Sequence, residues 1–320
     1  MSIILWVGFF LLVFFLLGLD LGVLNKNEHE ISAKEALGWT ALWIGIALLF
    51  NILVYFIYEQ NWFDIAANSP DIKTGKDAVI KFFTGYIIEK SLSIDNIFVI
   101  AMLFAYFKVP LKYQHRVLFW GILGALIFRG LLIVLGTALV HQFAWIMYVF
   151  GALLIFSAIK MLFGSDSEFD ADTNWSIKLI RKLYPVSSEM EGHNFFIWID
   201  GRKAVTPLFV ALIVIETTDI FFAIDSIPAI FAVTTDSFVV FTSNVFAILG
   251  LRSLYFVLAA FIEKFKYLKY SLVVLLGYIG VKMLIVDFVH IPILLSLGII
   301  LVILTAGVIL SLLLSKNQSK

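Results

Sequence analysis

The tightest constraint on this chain is a series of long apolar segments. In hydrocarbon a backbone amide finds no water, so each segment must satisfy its own hydrogen bonds as a helix or join a closed barrel. Nine segments can be drawn, at about residues 3–20, 37–58, 79–106, 115–140, 143–163, 205–233, 238–262, 269–287 and 291–314. About 20 apolar residues carry a helix across a bilayer. The pattern therefore predicts an all-α, polytopic membrane protein with about nine transmembrane helices. Composition agrees, since 62% of the 320 residues are hydrophobic and only 14% charged.

The remaining composition excludes several chemistries. There is no cysteine, so disulfides, thiolate metal ligation, iron–sulfur clusters and cysteine nucleophiles are ruled out for these residues. The formal net charge is zero and no basic stripe interleaves with aromatics outside the apolar segments, which argues against a nucleic-acid partner. The first apolar run, Ile3 to Leu19, lacks a basic n-region and a small-residue cleavage site before Asp20. It is expected to be a retained helix and not a signal peptide.

Lysine and arginine between the segments set the orientation, because cytoplasmic loops hold an excess of them. The connections bearing Lys108, Lys112 and Arg116, Lys264, Lys266 and Lys269, and Lys178, Arg181, Lys182, Arg202 and Lys203 are basic. Those around His141, Thr234–Ser237 and Val289–Pro292 contain neither residue. The N-terminus is expected outside and the C-terminus in the cytoplasm. The organisation that follows is residues 1–78 as two helices and a polar loop, 79–163 as a three-helix unit, 164–204 as a cytoplasmic loop, 205–288 as a second three-helix unit, and 289–320 as a last helix with a cytoplasmic tail. The 164–204 loop opens on Asp166, Glu168, Asp170 and Asp172 and continues into an amphipathic stretch, Trp175 to Tyr184. A solvated linker with a short surface helix accounts for it.

One stretch breaks the apolar pattern, Glu216-Thr-Thr-Asp219-Ile-Phe-Phe-Ala-Ile-Asp225-Ser226-Ile-Pro228. Each ionisable side chain at bilayer depth opposes insertion by about 2.5–3.5 kcal/mol, so three acids need a neutralising partner. A bound cation is the simplest one. A second stretch repeats the design: Leu92-Ser-Ile-Asp95-Asn96-Ile-Phe-Val-Ile100 aligns with Phe222-Ala-Ile-Asp225-Ser226-Ile-Pro-Ala-Ile230, and six residues before each aspartate stands Glu89 or Asp219. The likeness extends to Arg129 and Arg252, and to Lys160 and Lys282. Segments three to five and six to eight thus read as two copies of one unit. Three helices per copy force opposite topologies in the membrane, and such inverted repeats build transporters with an ion site at their interface.

On a straight helix Glu216 and Asp219 share a face, whereas Asp225 lies about 120° away and about 9 Å along the axis. Convergence on one ion would need a broken helix, for which Pro228 supplies a cause by freeing the carbonyl of Ile224; otherwise Glu89 and Asp95 serve successive sites. Ser226 and Asn96 are polar neighbours. Arg129 and Arg252 are expected to be counter-ions of the acids, and Lys160 to snorkel. Asp20 and Asn51 read as polar termini or interhelical bonds, and Gly121, Gly124, Gly277 and Gly280 as close packing. The five histidines fall at segment ends or in loops. All candidate ligands are hard oxygens, which suit Mg²⁺, Ca²⁺ or Mn²⁺.

The motifs Gly85-Tyr-Ile-Ile-Glu-Lys-Ser-Leu-Ser-Ile-Asp-Asn-Ile-Phe-Val, Glu216 through Ala232, Phe246-Ala-Ile-Leu-Gly-Leu-Arg-Ser-Leu-Tyr-Phe and Lys282-Met-Leu-Ile-Val-Asp-Phe-Val-His-Ile-Pro resemble those of the TerC family of bacterial integral membrane proteins, and most closely its Alx-like members. The resemblance covers nearly the whole chain. It implies a bacterial inner-membrane manganese exporter, with Glu89, Asp95, Glu216, Asp219 and Asp225 as the metal-handling set and no resident cofactor. It also implies an older association with tellurium resistance, which leaves a membrane scaffold or insertion factor as the alternative. An enzyme is disfavoured, because no nucleophile–base pair accompanies the acids. The expected partners are a divalent cation and the lipid bilayer.

Overall fold

Each apolar segment carries helix in the computed structural model of the chain, which describes residues 3–22, 32–143, 145–163, 174–187, 192–199, 201–259, 268–289 and 291–318. The helices are α1 (Ile3–Gly22), α2 (Ala33–Glu59), the short α3 (Ile65–Asn68), α4 (Gly75–Tyr106), α5 (Leu111–Gln142) and α6 (Ile146–Phe163), followed by α7 (Trp175–Leu183). After a hairpin of β1 (Phe196–Ile199) and β2 (Arg202–Val205) come α8 (Pro207–Phe231), α9 (Ser237–Leu249), α10 (Leu251–Ala259), α11 (Leu268–Leu284) and α12 (Ile293–Gln318). Six helices, α1, α2, α5, α6, α8 and α12, are long and apolar enough to cross a membrane, and the α9–α10 pair, bent by 44°, makes up to seven. A count of nine would add α4, which carries Glu89, Lys90 and Asp95 in its middle, and α11, of 17 residues.

Helix starts follow local chemistry. Ser32, Thr74 and Thr206 each accept a bond from the backbone amide three residues on, and Pro207 stands at the first position of α8, where its missing N–H costs nothing. Asp236 caps α9 through Phe238 and Val239.

The distribution of side chains is that of a membrane protein. Phe14, Leu49, Ile127, Phe156, Leu295 and Val302 point outward, while Glu89, Arg129, Asp20 and Asn244 are buried. Contact between apolar helices gains nothing from water in lipid, so close packing and polar contacts hold the bundle. The inner packing sets α5 against α8, α4 against α9 and also against α8, α5 against α9, and α6 across α11. α2 lies on α4 and α10, and α12 on α11.

The 164–204 segment is more than a linker with a surface helix. The expected helix is present as α7, but Ile177 and Ile180 are buried and α7 packs on α8; β1 and β2 pair antiparallel beside it. Asp166, Glu168, Asp170, Asp172, His29, His290, Lys264 and Lys266 lie outside the described residues.

The glycine expectations divide. A Cβ at Gly280 would sit 2.8 Å from the Gly151 carbonyl oxygen and 2.8 Å from Ile155, whereas at Gly277 it would meet nothing within 4 Å. Gly280→Ala should therefore cost about 1–3 kcal/mol by forcing α6 and α11 apart, and Gly277→Ala should stay within about 0.5 kcal/mol of the parent. Thermal unfolding of both variants in detergent checks this contrast.

Candidate intramembrane carboxylate site

Arg129 stands in the middle of α5 and is 1% exposed. A guanidinium at this depth must find all its partners within the protein. Its Nε donates to Asp219 Oδ2 at 3.0 Å and its Nη2 to Asp219 Oδ1 at 2.7 Å, a bidentate grip on the α8 carboxylate. Its Nη1 meets Glu89 of α4 in a hydrogen-bonded ion pair and reaches Ser226 Oγ at 3.5 Å. One side chain thus ties three helices together through Glu89 and Asp219, each of which stands six residues before an aspartate.

The surroundings complete the network. Asn244 of α9 donates to Glu89 Oε2 at 3.0 Å. Asn96, with its amide oriented to satisfy both ends, accepts from Arg129 Nη2 at 3.3 Å and donates to the Leu92 carbonyl at 3.3 Å. Glu216, one turn before Asp219 on the same face, packs over Gly124 of α5; any side chain at position 124 would overlap its carboxylate. Its Oε2 is buried without a hydrogen-bond partner. Glu89 and Asp219 thus meet the one guanidinium, and Glu216 lies beside Asp219 on α8, so three carboxyls gather around a single cation. A cavity of about 30 Å³ adjoins it, lined by Asn96, Thr218, Asp219 and Arg252 among others. That is room for a water-sized occupant.

The other expected site residues lie apart. Asp225 points toward α6, where Ser157 Oγ donates to it at 2.7 Å and Lys160 is close enough to act on it electrostatically. Asp95 is half-buried and on a different face of α4 from Glu89, as the spacing of six requires. Among the described residues no three acids or histidines converge as metal ligands. The physical reason is visible at the centre, where the Arg129 guanidinium occupies the space between Glu89 and Asp219.

Two expectations need correction. Arg252 borders the cavity beside Asp219, but it forms its ion pair with Asp20 of α1 and meets His115 Nε2 at 2.8 Å. Asp20 takes the second of its two expected roles, an interhelical bond, as the buried partner of Arg252 on α10. Pro228 does not break α8, which stays helical to Phe231. It stands in the last turn, where a missing N–H costs one bond and the chain is about to leave the helix. The break falls instead at Gly250 between α9 and α10, where Lys90 of α4 donates to the Ala247 carbonyl at 3.1 Å.

Sequence reasoning missed Asn244, Ser157, Lys90, His115 and the partnership of Asp20. A signal existed for Asn244, since Thr242-Ser243-Asn244 interrupts an apolar segment. For Ser157 and His115 none did, because their roles arise only from helices distant in sequence.

Residues 74–319 match the family described as "Integral membrane protein TerC family". The chain is similar to an uncharacterized membrane protein of Myxococcus xanthus, at 46% identity over 98% of this chain and 93% of that protein. It is also similar to the "Putative membrane-bound redox modulator Alx" of Salmonella typhi, at 43% identity over 99% and 96% of the two chains. The protein of the same name from Escherichia coli K12 is 43% identical over 96% and 94%. No solved structure matches.

Removing the central cation should leave two buried carboxylates uncompensated. Arg129→Gln is expected to destabilise the protein by about 3–5 kcal/mol. Adding Glu89→Gln in the same chain should recover part of that loss, which a double-mutant cycle of unfolding in detergent measures.

Proposed function

The chain belongs to the TerC family of integral membrane proteins, and on that footing we propose that it moves a hard divalent cation, Mn²⁺ foremost, out of the cytoplasm through the carboxylate site around Arg129. The reading rests chiefly on one observation: two carboxyls, Glu89 and Asp219, share a single guanidinium while a third, Glu216, stands beside Asp219 without a hydrogen-bond partner on Oε2, next to a cavity of about 30 Å³. The oxygens of Glu89, Glu216, Asp219 and Asn96 are the donors such an ion takes. Asp225 and Asp95 would serve as successive stations along the path and not as ligands of the same ion.

In this mechanism Arg129 is a tethered cation that holds the site closed while no substrate is present. An arriving ion competes with it for Asp219 and Glu89. Because the guanidinium bridges α4, α5 and α8, its displacement loosens the contacts between the two three-helix units. Rocking of one unit against the other then opens the site to the opposite side. The pairwise packing fits such a repeat. Exchanging α4, α5 and α6 for α8, the α9–α10 pair and α11 turns the α5–α8 contact into the α9–α4 contact and leaves α6–α11 and α4–α8 unchanged. In this reading the chain spans a bacterial inner membrane nine times, with its N-terminus outside, and carries no enzymatic activity.

The relatives' name raises a redox reading, and the scaffold alternative remains its neighbour. Thiol chemistry has no residue to run on here, because the 320 residues contain no cysteine. Proteoliposomes with a Mn²⁺-sensitive dye inside separate the readings. The parent should admit Mn²⁺, and Asp219→Asn or Glu216→Gln should bring flux at least tenfold down toward that of empty vesicles. Parent flux no higher than empty vesicles would overturn transport and favour the scaffold. Full flux in both variants would overturn the site.

A further inference from the structure

We propose that the cavity between α1, α5 and α9 is a binding site for one acyl chain of a membrane phospholipid, with its ester group at Thr137 and its headgroup beside His141. The inference is independent of the transport reading. The cavity is large, about 740 Å³, and shares no lining residue with the cavity at the carboxylate site. Interiors pack to crystal-like density, and a void of this size inside a membrane protein must hold matter that is compatible with hydrocarbon.

The lining fixes the chemistry. Along α1 it runs from Trp6 through Phe10 and Phe14 to Leu17. That is about 17 Å of helix at 1.5 Å per residue, close to the ~15 Å of one leaflet. Phe14, Ile127 and Val134 line the cavity and are also 63%, 64% and 63% exposed. The cavity is therefore continuous with the lipid-facing surface of α1 and α5, and a chain from the surrounding bilayer can enter it sideways.

Polarity appears at one end only. Thr137 lines the cavity, is 9% exposed, and its Oγ1 is buried with no hydrogen-bond partner. An unsatisfied hydroxyl at this depth costs free energy until an acceptor reaches it. One turn further along α5, on the same face, His141 lines the mouth and lies 3.3 Å from the Thr235 carbonyl, with Ser237 opposite. The order is hydrocarbon, then one lone hydroxyl, then an imidazole at the surface. It repeats the order of a glycerophospholipid from acyl chain to ester carbonyl to phosphate. A hydrocarbon without an acceptor would leave Thr137 unpaired.

Such a chain would complete the attachment of α1. In the described residues α1 meets α9 through rings, Trp6 lying 5.6 and 5.4 Å from Phe238 and Phe241. Its other end is held by the Asp20–Arg252 pair. The lipid fills the remaining side against α5.

The full chain is purified in mild detergent with palmitoyl-oleoyl phosphatidylethanolamine, and retained lipid is counted by native mass spectrometry. The parent and Leu131→Trp, on the same helix but outside the cavity, should each keep about one phospholipid; Val134→Trp, which fills the cavity, should keep none. A parent that retains no phospholipid, or a monodisperse Val134→Trp that retains as much as the parent, overturns the proposal. So does retention of a different membrane-soluble molecule in its place. A second measurement needs no cavity variant. In nanodiscs of the same lipid brominated along its chains, Trp6 emission is taken as the difference between the parent and Trp6→Phe. It should stay quenched after the bulk lipid is exchanged for unbrominated lipid. Quenching that disappears with the bulk exchange contradicts a bound chain.

Discussion

A guanidinium in the middle of a lipid-embedded bundle is the constraint on which the rest of this structure depends. Arg129 is 1% exposed, so the fold must bring acceptors to it from several helices at once. Asp219 takes two of its hydrogen bonds and Glu89 a third, and those three side chains fix how α4, α5 and α8 sit together. Asn244 adds α9 by bonding the far oxygen of Glu89. Small residues allow the approach; Gly124 leaves the room in which the Glu216 carboxylate lies. A buried ion pair of this kind gains little net stability over an apolar core, but losing one partner is costly. Its value is geometric: the same contacts that define the packing hold three carboxyls at one place.

Around that centre, the remaining polar contacts fasten the periphery. Lys90 holds the end of α9 where the chain bends at Gly250, and the bend turns α10 so that Arg252 reaches Asp20 and His115. Arg252 also borders the cavity next to Asp219. The two mid-segment arginines thus have different duties. Arg129 sits inside the acid group, and Arg252 closes its flank while anchoring α1.

Much of this was legible in the sequence, and the parts that were not share a cause. Periodicity and apolar run length located the helices, because those properties are local. Counting acids inside apolar segments located the polar centre, because burial of charge is penalised wherever it occurs. The expected kink at Pro228 failed since a proline in a final turn removes one bond and need not bend anything. The actual bend at Gly250 stands in a stretch with no proline, and a lysine more than 150 residues earlier supports it. Likewise Asp20 read as a helix terminus or an interhelical bond, and only the assembled bundle brings Arg252 to it. Whether two charged residues in neighbouring segments pair with each other or with a third helix is a tertiary fact.

The proposed transport turns on competition between Arg129 and a divalent cation for the same carboxylates. The most direct measurement is a Mn²⁺ titration of the purified, monodisperse protein, with free ion read by electron paramagnetic resonance, in the parent and in Arg129→Gln. About one Mn²⁺ per chain is expected in both, bound at least tenfold more tightly by the variant, because the tethered cation no longer opposes it. Loss or weakening of Mn²⁺ binding on removal of the guanidinium would contradict this competition.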